Sequence, residues 1–201
     1  MNEKFYSLPK EKQDRIINAG FRVFSRNSYK KSPVGEIAEE AGISKSLLFF
    51  YFKNKKELYL FLLKTAEEET RNALMETNVY SGDDIFDIMY NGLLVKANMM
   101  RKYPDMGNFS IKAYYEKDPD VAKEVRKIIE PYTEMDTNSI LPILDKNKFK
   151  DGLDLNMMYQ DMYLASEGYL WRMQQLDNLD VDKMVSDFKK IIDFWRDLYL
   201  K

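Results

Sequence analysis

The sequence contains no cysteine and no histidine. Without thiols there are no disulfides, no thiolate nucleophiles and no Cys-ligated zinc. Without imidazole there is no histidine base and no Ser-His-Asp triad. An enzyme would be left with carboxylate or Ser/Lys chemistry, and no convincing cluster of either is visible. Glu67-Glu68-Glu69 and Asp83-Asp84 are the densest acidic groups, and they read as a solvated helix face and a helix N-cap. A function without catalysis, cofactor or metal is expected. Glycine and proline are scarce, 8 and 6 among 201 residues, which favours helices. No run approaches the roughly 18 consecutive apolar residues of a membrane span, and the N-terminus lacks the apolar core of a signal peptide. These absences predict a cytoplasmic protein with no membrane partner.

What is present is charged unevenly. The overall charge of −2 divides into a basic head, with 12 Lys+Arg against 7 Asp+Glu in residues 1–60, and an acidic remainder with 19 against 26. A head of net +5 on a body of net −7 fits a chain whose first segment meets polyphosphate while its body repels it.

Residues 32–58, SPVGEIAEEAGISKSLLFFYFKNKKEL, organise that head. Val34, Ile37, Ala38 and Ala41 stand at i, i+3, i+4 and i+7, so one face of a short helix is apolar. Ser32 can cap it, and Pro33 suits its first turn. Gly42 then stops it, since glycine adopts the left-handed conformation of a sharp turn without a Cβ penalty. Ser44 starts the next helix as an N-cap, with Ile43 and Leu48 placed as a hydrophobic staple. Helix, tight turn and second helix are the layout of a DNA-reading helix-turn-helix. Before it, Ile16, Ala19, Gly20, Val23 and Phe24 give a supporting helix over about 8–25 a single apolar stripe. Met1 to Ser7 reads as a loose arm, with Lys4 and Lys10 available to nearby phosphates.

From Arg15 to Leu58 the chain resembles the N-terminal domain of the TetR family of transcriptional regulators. The resemblance is carried by Ile16 through Phe24, by Ala41-Gly42-Ile43-Ser44-Lys45, and by Leu48 through Lys55. It implies an all-α fold with a three-helix helix-turn-helix domain at 1–55 and a helical ligand-binding and dimerisation domain at 56–201. It implies as well a homodimeric repressor on an inverted-repeat, double-stranded DNA operator, released by a small molecule. Positions matching the family's DNA contacts are Ser32, Lys45, Ser46, Leu47, Phe49, Phe50, Tyr51 and Lys55. Physically, Lys45 can reach guanine or a phosphate, Leu47 a thymine methyl, and the hydroxyls of Ser32 and Tyr51 a phosphate oxygen. Two departures stand out. Phe49 and Phe50 replace the family's frequent Tyr and His, removing two polar contacts. Ser28 replaces a usual glycine, which costs on the order of 1 kcal/mol if the backbone there is left-handed, unless Asn27 adopts that conformation instead. The alternative function is a helical-bundle interaction module that anchors a protein partner on Phe49 and Phe50.

In the body, a long helix is expected over Lys56–Met75, and in the family it carries the ligand signal to the head. Another begins at Asp83 or Asp84. After a break at 103–107 a short helix runs over about 108–116, and a further one capped by Asp118-Pro119-Asp120 reaches about Leu144, kinked or divided at Pro131 and Pro142. A polar connector over 146–154 leads to the last two helices, 155–176 and 181 to the end. The resemblance makes those two a four-helix dimer bundle, with Tyr169, Met173, Met184, Phe188, Ile192 and Trp195 as interface candidates. Its ligand pocket would lie among the middle helices. Met89, Met99, Phe109, Tyr114, Tyr115, Met158, Met162, Tyr163 and Trp171 are the candidates, a thioether and aromatic set suited to an apolar or aromatic ligand, and equally to a plain core.

Overall fold

A computed structural model describes residues 3–133, 141–175 and 180–201. The described residues are all-α: α1 (Glu3–Tyr6), α2 (Lys10–Arg26), α3 (Val34–Glu40), α4 (Lys45–Tyr51), α5 (Lys55–Glu76), α6 (Ile85–Lys102), α7 (Pro104–Tyr114), α8 (Ala122–Thr133), α9 (Leu155–Gln175) and α10 (Val181–Tyr199). Short 3-10 turns lie at Val79–Ser81, Leu141–Ile143 and Lys146–Lys148. None of the described helices is long and apolar enough to cross a membrane. The chain forms two compact units, one of residues 1–69 and 103–130, the other of 70–102 and 131–201.

The first unit closes on aromatic rings. Tyr59 of α5 meets Phe24 of α2 at 4.9 Å and Phe109 of α7 at 5.1 Å between centroids, and Phe21 meets Phe109 at 5.4 Å. Gly20 lets α2 and α5 approach closely, since a Cβ there would lie 2.6 Å from a methyl of the buried Leu62. At the exit of α2, Asn27 is extended (φ −125°) and the only non-glycine positive φ among the described residues is at Asn78. Ser28 therefore carries no left-handed strain, and the glycine it replaces is not needed here.

In the second unit α6 packs along α10. Ile85 and Phe86 of α6, Met158, Tyr159 and Met162 of α9, and Ile192 and Trp195 of α10 share one core. Asp84 caps α6, accepting from the backbone N–H of Phe86 at 2.8 Å. The same carboxylate takes Arg196 of α10 at 2.6 Å, and Asp87 takes the other guanidinium nitrogen at 2.5 Å.

Several expected boundaries shift. The arm is not loose: residues 3–6 form α1 because Phe5 finds a buried seat. Pro104 opens α7 rather than lying in a break, since its ring sets φ for a first helical turn that needs no N–H. α8 is described as far as Thr133, with Pro131 inside it, and Pro142 lies in the turn at 141–143; the expected helix between them falls outside the described residues, as does Leu176. The polar connector hides an apolar anchor: Phe149 is buried and pairs with Leu200 in an isolated antiparallel bridge.

Candidate nucleic-acid interface

α3 buries Val34, Ile37 and Ala38, and Ala41 behind it is buried too. Gly42 then turns the chain at φ +67°, while the N–H of Ile43 donates to the Ala38 carbonyl at 2.9 Å. That bond satisfies a carbonyl that the end of α3 would leave open. Ser44 caps α4, its hydroxyl oxygen accepting from the Leu47 N–H at 3.1 Å. Only seven residues long, α4 depends on this cap and on its buried side for its place.

The buried side of α4 is Leu48 and Tyr51, continued by Phe52 just beyond it. Its outer side presents Lys45, Ser46 and Phe50, with Leu47 and Phe49 half-buried at the margins. The Lys45 ammonium stands 5.9 Å from the Phe49 ring centroid. Five of the eight candidate contact residues are thus gathered on one short helix face. The other three are placed differently. Tyr51 is turned inward, 7% exposed, with its ring 6.1 Å from that of Phe5. Ser32 is buried and does not cap α3, whose N-cap is Pro33; its hydroxyl donates to the Ser28 carbonyl at 2.9 Å. Lys55 donates to the Lys30 carbonyl at 3.1 Å and lies 5.0 Å from the Tyr29 ring centroid, and burial pushes its ammonium below the usual lysine range.

A second layer, absent from the sequence reading, holds the head from behind. Tyr29 donates its hydroxyl to Asp120 and its backbone N–H to Glu116. Lys56 pairs with Glu124 at 3.0 Å, and Arg22 lies 3.4 Å from both Glu40 and Asp105. Burial, then the bond to Asp120, holds the Tyr29 phenol well above its ordinary value. Phe5 of the loose-looking arm packs elsewhere in the head, against Phe52 and Phe61.

The body candidates scatter. Phe109 is buried among Phe21, Phe24 and Tyr59, and Tyr114 and Tyr115 pack edge to face at 4.8 Å in the same unit. Met158 and Met162 are core residues of the other unit, with Met89 packed on them. Met99 and Tyr163 are half-buried, and Trp171 is 42% exposed. An open cleft of about 500 Å³ in that unit is bounded by residues of 77–98 that include none of these candidates. The dimer candidates are turned inward: Met173, Met184, Phe188, Ile192 and Trp195 are buried within the protomer, and Tyr169 donates to Asp187 at 2.9 Å. Helical periodicity located an apolar face correctly, but that face covers the protomer's own core. Among the described residues, the large apolar side chains that α9 and α10 leave exposed are Met157, Leu164, Trp171, Phe194 and Leu198.

Residues 16–61 match the sequence model of the bacterial regulatory proteins of the tetR family. Over 50 residues the chain is 38% identical to a fatty acid metabolism regulator protein of Bacillus subtilis, a match covering 25% of this chain and 26% of that one. The first curated relatives are matched over less than half their length. Among solved structures, a TetR family transcriptional regulator from Chloroflexus aurantiacus aligns with a TM-score of 0.69 at 22% identity, over 100% of this chain and 98% of that one. The transcriptional regulator FadR of Bacillus subtilis, in complex with stearoyl-CoA, aligns with a TM-score of 0.69 at 16% identity, over 90% and 96%. The head of this chain is thus a helix-turn-helix domain of the tetR family of bacterial regulatory proteins, carried on the fold of that family's solved members.

Proposed function

We propose that the protein is a non-catalytic transcriptional regulator that binds an inverted-repeat operator as a homodimer and leaves it when a small molecule binds the body. The observation that carries this reading is α4: capped by Ser44, fixed by the turn at Gly42, buried through Leu48, and outward through Lys45, Ser46 and Phe50. Such a helix can lie in a major groove, where Lys45 reaches guanine or phosphate and Leu47 and Phe49 add apolar margin. Ser32, Tyr51 and Lys55 then act from behind, holding the backbone that carries α4, and Lys55 reaches phosphate only by leaving the Lys30 carbonyl. Residues 1–55 do the reading, and residues 56–201 bind ligand and partner.

Dimerisation through α9 and α10 is supported by the apolar residues those helices leave exposed, Leu164, Trp171, Phe194 and Leu198. A ligand with an apolar or aromatic body is supported by the methionine and aromatic content of the body, and by the acyl-CoA held in one solved neighbour. Ligand and DNA would each weaken the other's binding by the same factor, because they favour different arrangements of the two heads. Repression follows when the operator overlaps a promoter.

Titration of duplex binding against salt tests the proposal. A DNA reader shows log affinity falling linearly with log salt, and Lys45→Ala changes the preferred sequence. Binding that ignores salt, with Phe49 and Phe50 capturing a protein instead, would replace it by the interaction-module reading.

A further inference from the structure

Residues 116–127, EKDPDVAKEVRK, balance four acids against four cations, but the fold separates the two signs. The acids are engaged. Glu116 accepts from the backbone N–H groups of Tyr29, Lys117 and Asp118, and Asp118 accepts from that of Asp120. Asp120 takes the Tyr29 hydroxyl, and Glu124 takes Lys56 at 3.0 Å. Lys123, Arg126 and Lys127, by contrast, are exposed and form no ion pair among the described residues.

These three cations share one side of α8, along a shallow groove of about 420 Å³ that is completed by Pro119, Ala122 and Glu130. Their placement costs the helix. Lys123 stands in the first turn of α8, where the helix dipole disfavours a cation, and Lys127 repeats its charge at i+4. A polyanion laid along the groove turns both penalties into attraction.

Which polyanion follows from what α8 is fastened to. Residues 103–130 belong to the same compact unit as the head. Glu124 grips Lys56 in the first turn of α5, and Asp120 grips Tyr29, whose neighbours Lys30 and Lys31 are exposed. Lys127 stands one turn beyond Glu124, on the same side of α8. The cationic strip therefore borders the helix-turn-helix and is carried by the same unit.

We propose that Lys123, Arg126 and Lys127 form a second DNA contact, outside the helix-turn-helix, that holds the phosphate backbone beside the half-site read by α4. This rests on the DNA-reading function proposed above. It gives α8 a share of the DNA surface, and it adds affinity without sequence preference, because cations on phosphates carry no base information.

The test uses the full chain, a duplex that it retains, and the triple variant Lys123→Gln, Arg126→Gln, Lys127→Gln. Glutamine removes the charge and keeps the helix propensity, so thermal unfolding no lower than the parent's is the folding control. The variant should keep the parent's preferred sequence while its salt slope falls by about one to three per protomer. Phosphates are then neutralised one at a time as methylphosphonates. Linkages beside the half-site should weaken the parent and leave the variant unaffected. A salt slope equal to the parent's overturns the proposal and leaves the groove to an acidic protein. A lower slope with the same sensitive phosphates in both proteins overturns it too, because the strip then acts through its long-range field without contact. Both results leave sequence reading by α4 intact. Failure of the folded, intact chain to bind any duplex removes both this inference and the function beneath it.

Discussion

Tyr29 donates its hydroxyl hydrogen to Asp120 at 2.5 Å while its own backbone N–H donates to Glu116 at 2.9 Å. One residue, standing between α2 and α3, is thereby gripped at both ends by the stretch between α7 and α8. Its ring packs on Tyr59 at 5.1 Å, and Lys55 lies over it. The placement of α3 and α4 in the first unit thus depends on carboxylates far along the chain.

Removing the hydroxyl isolates that grip. Tyr29→Phe keeps the ring and should lower the stability of the first unit by about 1 kcal/mol, the usual net worth of such a bond. Asp120→Asn should cost less, because an amide oxygen still accepts. Chemical denaturation of the three proteins measures this; a Tyr29→Phe midpoint equal to the parent's would mean that the bond contributes nothing.

The tyrosines also set an alkaline limit. Burial, then the bond to Asp187, pushes the Tyr169 phenol up to about 12, and burial raises Tyr29 and Tyr59 further. A phenol raised in the folded state contributes its full stabilisation below the unfolded value of about 10 and loses it as pH climbs toward the folded one. Stability should therefore fall steadily above about pH 10 as these three phenols ionise more readily in the unfolded chain. Tyr169→Phe should flatten the part of that fall between about 10 and 12; an unchanged profile would remove Tyr169 from the explanation.

Two glycines should respond in opposite directions. A Cβ at Gly20 would meet the fully buried Leu62, so Gly20→Ala should destabilise by about 1–3 kcal/mol despite its better helix propensity. A Cβ at Gly35 would meet nothing within 4 Å, so Gly35→Ala in α3 should stabilise by roughly 0.5–1 kcal/mol. Thermal unfolding of both variants is the check, and equal shifts would show that close packing at Gly20 is not limiting.

Much of the head was legible because its signals are local. The apolar spacing of Val34, Ile37, Ala38 and Ala41, the positive φ at Gly42 and the cap at Ser44 are each set within a few residues, and each appears where expected. Asp84 likewise caps α6. What could not be read depends on distant partners. Tyr29 bonds to residues 87 and 91 positions away, and Phe5 is buried only because Phe52 and Phe61 are there to receive it. Ser32 and Lys55 carry groups that suit a phosphate, but nearby carbonyls engage them in the fold. In α10 the periodicity of Met184, Phe188, Ile192 and Trp195 marks a buried face without saying whose core it covers, and it covers the protomer's own.

Selection of random duplex DNA by the purified protein, with sequencing of what is retained at moderate salt, tests the central proposal most directly. Enrichment of a single inverted repeat is expected, its half-sites about one helical turn apart, one for each α4 of a dimer. No enriched sequence at any of several salt concentrations, from protein shown to be folded, would contradict it and leave the exposed Phe50 face as a surface for a protein partner.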